Sequence, residues 1–128
     1  MLMNILEQYL PVMPYLILED ASAFLEFAKS VFGAKEQLIV PAADNKIMHG
    51  ELKIHDAVIM FANSGANWNE MPSAMYMHVL DVKVIYEKAM ELGAKSLGEP
   101  EHKEYGYTAG FEDPFGNQWF VVEAKKDD

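Results

Sequence analysis

The sequence predicts an α+β fold built from two tandem βαβββ modules. Two observations carry this prediction: the order strand, helix, three strands occurs twice, and both helices end at near-identical junctions. The junctions are Phe32-Gly33-Ala34-Lys35 and Leu92-Gly93-Ala94-Lys95. Such internal repeats are typical of duplicated architectures. The length of 128 residues suits one domain, 1–128, with module one at about 12–63, a connector at about 64–73 and module two at about 74–124.

In module one, the short apolar run Val12–Leu18 predicts a strand, and Asp20 can cap the helix that follows. The helix is predicted from about Ala21 to Phe32, because apolar residues recur there at the spacing of one helical face, and Gly33 ends it. Further strands are predicted at Glu36–Val40, Lys46–Ile54 and Ala57–Asn63, the last two forming a hairpin across His55-Asp56. The polar segment that follows, rich in Gly, Asn and Pro, is predicted to be the connector.

Module two repeats this order. A strand at Met75–Leu80 ends at Asp81, and a helix runs from about Val82 to Leu92. A short strand at Ser96–Leu97 and a second hairpin follow, the hairpin formed by Tyr105–Glu112 and Gln118–Glu123. Its turn, Asp113-Pro114-Phe115-Gly116, has suitable turn chemistry. The polar segment Glu101–Gly106 is a candidate flap.

Composition narrows the possible functions. Twenty acidic and ten basic side chains give a formal charge of −10, which disfavours nucleic acid as a partner and tolerates a cationic ligand. The absence of cysteine excludes disulfides and thiolate metal sites. We find no signal peptide and no run of about 20 apolar residues that could span a membrane. We therefore expect a cytoplasmic protein.

The run from Gly110 to Trp119, which contains Asp113-Pro114-Phe115-Gly116-Asn117, resembles the Asp-Pro-x-Gly-Asn hairpin of the vicinal oxygen chelate superfamily. This superfamily includes glyoxalases, bleomycin resistance proteins and extradiol dioxygenases. The Asp-Pro-Phe-Gly form followed by Trp, together with Met48-His49-x-Glu51-Leu52, resembles one bacterial branch. The resemblance covers about residues 12–124. It implies the glyoxalase/bleomycin-resistance/dioxygenase fold, in which two modules form a curved mixed sheet around a ligand or metal.

The resemblance also implies four ligand positions, on the first and last strand of each module. Carried over to this sequence, they are Met13 and Met60 in module one, and Met75 and Phe120 in module two. Metal-dependent members place His, Glu or Gln there, whereas a thioether is a soft ligand and Phe is no ligand. We therefore predict no metal and no other cofactor. A divalent metal held elsewhere is the alternative.

The concave side of such a curved sheet is here called the cup. Strand alternation predicts further residues that line it. Tyr15 shares a face with Met13, Met77 shares one with Met75, and Gln118 shares one with Phe120, while Tyr107 is predicted to face the cup from the second hairpin. His78 is predicted to point toward the helix layer. In the first hairpin, a two-residue turn pairs Glu51 with Met60. His49 and Glu51 then project into the cup together, as candidate catalytic residues.

Two functions remain open. The first is a metal-independent protein that binds a small molecule in the cup, with Met13, Tyr15, Met60, Met75, Met77, Tyr107, Gln118 and Phe120 as its contacts. The excess negative charge would suit a cationic ligand. The second is a lyase, isomerase or dioxygenase that uses His49 and Glu51, either around a metal or as acid–base catalysts. We expect a homodimer, since relatives of this size often complete their cups across a two-fold axis.

Overall fold

The computed structural model describes residues 3–124 and confirms the duplicated order of elements. Module one contains β1 (Tyr15–Leu18), α1 (Ala21–Phe32), β2 (Lys35–Pro41), β3 (Ile47–Ile54) and β4 (Ala57–Asn63). Module two contains β5 (Ala74–Val79), α2 (Val82–Glu91), β6 (Lys95–Lys103), β7 (Gly106–Glu112) and β8 (Gln118–Glu123). Each module is therefore one βαβββ unit.

Each module forms one four-stranded mixed sheet. The strand order is β1-β4-β3-β2 in module one and β5-β8-β7-β6 in module two. In both sheets the first strand lies parallel to the last strand of its module, and the other neighbours are antiparallel. The identical topology confirms the predicted fold class.

Both helices begin at an aspartate that caps the first turn. Asp20 Oδ1 accepts a hydrogen bond from the backbone N–H of Ala23 at 3.0 Å, and Asp81 Oδ1 accepts one from Val84 at 3.1 Å. The bonds satisfy N–H groups that have no partner within the helix. The caps stand at the same place in the two modules, directly before the helix.

In module one, the sheet buries one face under α1. Leu16, Leu52 and Phe61 lie on this face and are almost fully buried. The Phe61 ring packs against Phe24 of the helix, with ring centroids 5.5 Å apart. Gly50, the cross-strand neighbour of Phe61, leaves the space that this ring occupies. The opposite face, here called the distal face of the module, carries Tyr15, Glu51 and Met60.

In module two, α2 covers the face that carries Phe111, Trp119 and Val121, all of them 0–1% exposed. The Glu123 carboxylate, on the same face, accepts a hydrogen bond from the backbone N–H of Val82 at 3.1 Å. This bond ties the last strand to the first turn of the helix. The Trp119 side chain is therefore part of the core between β8 and α2.

Two strands, β1 and β6, differ from their predicted boundaries by more than one residue. β1 begins at Tyr15, so Met13 precedes the strand. β6 spans Lys95–Lys103 rather than Ser96–Leu97, so only Glu104-Tyr105 turns between β6 and β7 and the predicted flap is mostly strand. β6 is a sheet edge whose side chains are nearly all exposed, and an exposed edge strand lacks the apolar alternation by which strands are recognised.

The chain divides into two compact units between residues 71 and 72. Most of the predicted connector belongs to the first unit, because Met71 and Ile17 exchange backbone hydrogen bonds of 2.7 and 3.2 Å. In the part of the chain from residue 3 to residue 124, no helix is long and apolar enough to cross a membrane.

Candidate functional site

The distal face of module one brings together three side chains from three strands. Glu51 of β3 pairs with Met60 of β4, and Met60 pairs with Tyr15 of β1. The two-residue turn at His55-Asp56 sets this register, so the predicted pairing of Glu51 with Met60 is confirmed. His49, two residues from Glu51 on the same strand, projects from the same face.

Glu51 is the centre of a hydrogen-bonded cluster. Its side chain is only 2% exposed. Oε2 accepts hydrogen bonds from His49 Nε2 at 2.8 Å and from the Tyr9 hydroxyl at 3.0 Å, and Oε1 accepts one from Gln37 Nε2 at 3.1 Å. A buried carboxylate requires such partners, because unpaired burial of a charge is costly.

Gln37 reaches Glu51 because of an irregularity in β2. Leu38 pairs with Glu51 and Glu36 with Leu52, so Gln37 is an extra residue in the ladder. A bulge of this kind redirects a side chain and is frequent beside functional sites. Sequence reasoning missed Gln37, because alternation alone cannot locate a bulge.

Tyr9 was also missed. It precedes β1 in a segment without strand or helix, and its hydroxyl contacts a residue 42 positions later in the chain. No local pattern indicates such a contact. Tyr9 and Gln37 together supply two of the three donors that hold the carboxylate.

The cluster keeps Glu51 ionised. Burial by itself raises the pKa of this carboxyl, but the hydrogen bonds from His49, Gln37 and Tyr9 outweigh it and bring the pKa below the usual 4.5. The same charge acts on its neighbours. The pKa of Tyr15 is raised by burial and by the Glu51 charge, and that of Tyr9 is raised mainly by its hydrogen bond to Glu51. Both phenols are therefore protonated at neutral pH.

His49 links this buried charge to Tyr15. Its Nδ1 lies 2.9 Å from the Tyr15 hydroxyl, while its Nε2 faces the Glu51 carboxylate. Because the carboxylate is ionised, Nε2 carries the proton of that bond. In the neutral imidazole Nδ1 then accepts a hydrogen bond from Tyr15, which leaves lone pairs of the tyrosine oxygen for a ligand.

A cavity of about 690 Å³ lies beside this chain of hydrogen bonds, within module one. Tyr15, Ile17 and Ala62 form its wall on the distal face, and further walls come from the loop before β3 and from the segment after β4. The lining is mostly apolar and includes Ala42, Lys46, Ile47, Met48, Asn63, Ser64, Gly65 and Trp68. Its volume is within the roughly 300–1,000 Å³ typical of small-molecule sites.

The predicted lining of module two requires a correction. Phe120 pairs with Tyr76, whereas Met75 pairs with Trp119 and Met77 with Val121. Since Trp119 and Val121 lie under α2, Met75 and Met77 are on the helix face, not on the face of Phe120. His78, predicted to point toward the helix layer, is on the distal face with Tyr76, and the two rings pack with centroids 5.6 Å apart.

Tyr107 is corrected for the same reason. The ladder between β7 and β8 pairs Ala109 with Val121 and Gly110 with Phe120, so Tyr107 shares the face of Ala109, not that of Phe120. Tyr107 packs instead near His102, with ring centroids 4.6 Å apart. Phe120 and Gln118 stay on the distal face, where Gln118 Nε2 donates to Glu112 at 3.4 Å.

The internal repeat of the sequence indicates which residues of β5 lie on which face of the sheet. Tyr15 stands five residues before the capping Asp20, and Tyr76 stands five residues before the capping Asp81. The two caps therefore match Tyr76 with Tyr15, and they match Met77 with the buried Leu16. Apolar character alone instead predicts that Met75 and Met77 face the ligand.

The Asp-Pro-Phe-Gly-Asn run is a structural hairpin. Asp113, which is 3% exposed, accepts hydrogen bonds from the backbone N–H groups of Phe115 and Asn117, and from the Trp119 indole at 2.9 Å. Burial raises the pKa of Asp113, and these bonds offset only part of that effect. Asn117 Oδ1 in turn accepts from the backbone of Ser73, which fixes the approach to β5.

The residues at the superfamily's usual ligand positions do not fit a divalent metal. With the corrected register, these four positions hold the phenols of Tyr15 and Tyr76, the thioether of Met60 and the phenyl ring of Phe120, none of which is a donor that hard divalent ions prefer. Within residues 3–124, no group of three or more His, Cys, Asp or Glu side chains is arranged to hold a metal ion.

The sequence profile of the Glyoxalase/Bleomycin resistance protein/Dioxygenase superfamily matches residues 9–121. The chain belongs to this superfamily. One curated relative of this superfamily member is the uncharacterized protein Mb0911c of Mycobacterium bovis. It is 26% identical over 118 residues, which cover 83% of this chain and 78% of the relative.

Solved structures agree in fold. Protein PA1353 from Pseudomonas aeruginosa has a TM-score of 0.78 at 18% identity, covering 92% of this chain and 100% of that one. A mutant of the fosfomycin resistance protein FosX from Listeria monocytogenes, in complex with Mn(II) and a dihydroxypropylphosphonic acid, has a TM-score of 0.67 at 15% identity. The match covers 88% of this chain and 90% of that protein. These identities support a common fold and nothing more specific.

Proposed function

We propose that this superfamily member binds a small molecule in the module-one cavity without a metal, and that His49 and Glu51 orient it. One observation carries the proposal: Tyr15 forms part of the cavity wall and is hydrogen-bonded to His49, which contacts the buried Glu51. A ligand against Tyr15 is therefore one hydrogen bond away from a fixed polar network.

The lining favours a ligand with a largely apolar body. Exposed Trp68 and Met48 can pack against such a body, and a thioether adapts its shape to irregular ligands. The oxygen of Tyr15 offers an acceptor, and the ionised Glu51 behind it makes this end of the cavity favourable for positive charge. We therefore expect a hydrogen-bond-donating or cationic group at the Tyr15 end.

The proposal is tested by native mass spectrometry of the untagged protein as expressed, which detects a retained small molecule. Glu51→Gln removes the charge, and His49→Ala removes the link to Tyr15, so both variants should retain at least fivefold less of the molecule while remaining folded. Glu70→Gln is the matched control, because it removes one exposed charge in the same module. Equal retention in all four proteins would contradict the proposed role of the pair.

Tryptophan fluorescence provides a second test of ligand binding in the same cavity. Trp68 lines it and is 67% exposed, whereas Trp119 is 1% exposed and serves as the internal reference. An aromatic quaternary amine such as benzyltrimethylammonium should shift the Trp68 emission, and the shift should vanish in Trp68→Phe. A protein that retains no molecule and also shows no response to this probe would end the proposal.

The alternative is an acid–base enzyme that acts on a ligand in the same cavity. The uninterrupted chain Tyr15–His49–Glu51 favours it, since a hydroxyl, an imidazole and an orienting carboxylate can pass a proton to or from a substrate. Once the retained molecule is identified, turnover separates the two functions. In an enzyme, Tyr15→Phe would lower kcat by about 100-fold or more. In a binding protein the molecule is released unchanged.

A further inference from the structure

Module two contains a cavity of its own, of about 240 Å³, which the proposed function does not use. It lies on the distal face, and its walls include Tyr76 of β5, Phe120 of β8 and Tyr105 of the β6–β7 turn. These aromatic side chains are unusually accessible, with exposed fractions of 60%, 38% and 62% in that order. The volume is below the roughly 300–1,000 Å³ of drug-sized sites, so it suits a single small group.

A pair of glycines creates this cavity. Gly98 of β6 pairs with Gly110 of β7, and Gly110 pairs with Phe120. The matching pair in module one is Leu38 and Glu51, both of which carry large side chains. A Cβ at Gly110 would lie 3.3 Å from the Phe120 ring, so bare backbone forms the floor between aromatic walls. Glycine inside a strand often marks such a close approach of a ligand.

The charged side chains of the lining leave a net charge of −1. They are Glu99, Glu101 and Lys103, two carboxylates and one ammonium. Lys103 Nζ lies 3.6 Å from Glu101 Oε1 and balances that carboxylate. Glu99 stands in an irregularity of β6, between Gly98 and Glu101, where the register with β7 shifts. Glu99 takes part in none of the salt bridges within residues 3–124, so its carboxylate adds an unbalanced negative charge to the lining.

We propose that the module-two cavity binds a small methylated ammonium group. Faces of Tyr and Phe attract cations through the ring quadrupole, and aromatic cages with a nearby carboxylate suit quaternary ammonium ions. The negative net charge disfavours an anion, and the small volume excludes a large apolar ligand. Neither His49 nor Glu51 is among the residues that line this cavity.

The test is an NMR titration of the ¹⁵N-labelled full chain with tetramethylammonium chloride. Amide signals of Gly98 and Gly110 should shift and saturate. tert-Butanol, a neutral molecule of similar shape, and sodium chloride at equal ionic strength should produce no saturable shift. Equal saturable shifts with tert-butanol would overturn the proposal, because the site would then be an apolar hollow without preference for charge.

Variants locate the binding site. Gly98 lines the cavity, and a Cβ there meets no heavy atom within 4 Å beyond its chain neighbours, so Gly98→Ala narrows the cavity without strain and should weaken binding at least fivefold. Ser96→Thr is the matched control, since Ser96 pairs with Phe111 and does not line the cavity. Unchanged binding in Gly98→Ala, or equal weakening by both changes, would overturn the assignment to this cavity.

A second pair of variants tests the charge. Glu99→Gln should weaken tetramethylammonium binding at least threefold, whereas Glu91→Gln, which removes an exposed charge of α2, should leave it unchanged. Identical affinities in the two variants would contradict the role of Glu99. Negative results in these tests would not affect the proposal that the module-one cavity binds a ligand. That proposal is tested separately, by the retained ligand and by the Trp68 emission.

Discussion

At the scale of single residues, Glu51 shows how a strand can hold a charge that is almost closed to solvent. Three donors from three parts of module one converge on its carboxylate, and they lower its pKa although burial raises it. The ionised form is therefore favoured in the folded protein relative to the unfolded chain. The stabilisation that Glu51 contributes is fully present above its pKa in the unfolded chain, which is about 4.5. It is lost as the pH falls through the lower pKa of the folded protein.

We predict that Glu51→Gln destabilises the protein by roughly 1–3 kcal/mol at pH 7, because charge-assisted hydrogen bonds are lost and buried donors face an amide. The difference from the wild type should shrink as pH falls below about 4.5, where the wild type loses the same contribution. Urea denaturation at pH 7, 5 and 3 measures it. Glu70→Gln is the control, and a difference independent of pH would contradict the ionised state of Glu51.

At the scale of elements, β3 of module one and β7 of module two each contain an interior glycine, Gly50 and Gly110. The two glycines have different structural roles. Gly50 of module one lies under the Phe61 ring on the helix face, where a Cβ would be 2.5 Å from Cζ. Gly110 of module two lies on the distal face and opens a cavity. The two modules thus share topology but use glycine on opposite faces, one for packing under a helix and the other for space.

We predict that Gly50→Ala destabilises the protein by about 2 kcal/mol or more, since overpacking of a close contact displaces the Phe61 ring and the helix above it. Gly65→Ala is the matched control, because a Cβ there meets no heavy atom within 4 Å and its effect should be within about 0.5 kcal/mol. Thermal and urea denaturation compare the two variants. Equal stability would show that the ring adjusts without cost.

At the scale of the whole molecule, a strongly acidic chain also exposes large apolar side chains. The exposed fractions of Met48, Trp68, Met71, Tyr76, Leu80 and Tyr105 are all 60% or more. Net negative charge favours solvation of such a surface, whereas exposed apolar side chains mark contacts with another chain or a ligand where they form a contiguous patch.

We predict a homodimer in solution, with a mass twice the 14.5 kDa of the chain. Light scattering coupled to size exclusion at micromolar concentration measures it. Replacement of the exposed Leu80 by Glu should shift the equilibrium toward monomer if its surface is at the interface, and Lys83→Glu on α2 serves as a control for added negative charge. A monomeric mass across the whole concentration range would refute the prediction.

The sequence by itself determined the order of elements, the duplication, the Asp20 cap of the first helix and the register of the first hairpin, because each follows from local periodicity or from a short turn. The pairing of Glu51 with Met60 needed only the two-residue turn between their strands. The tertiary structure decided which residues of β5 and β7 face the helix. It also decided the bulge that directs Gln37 toward Glu51 and the hydrogen bond from Tyr9 to Glu51. These depend on ladders and contacts between residues far apart in the chain, and a strand with apolar side chains on both faces does not reveal which face its partners will cover.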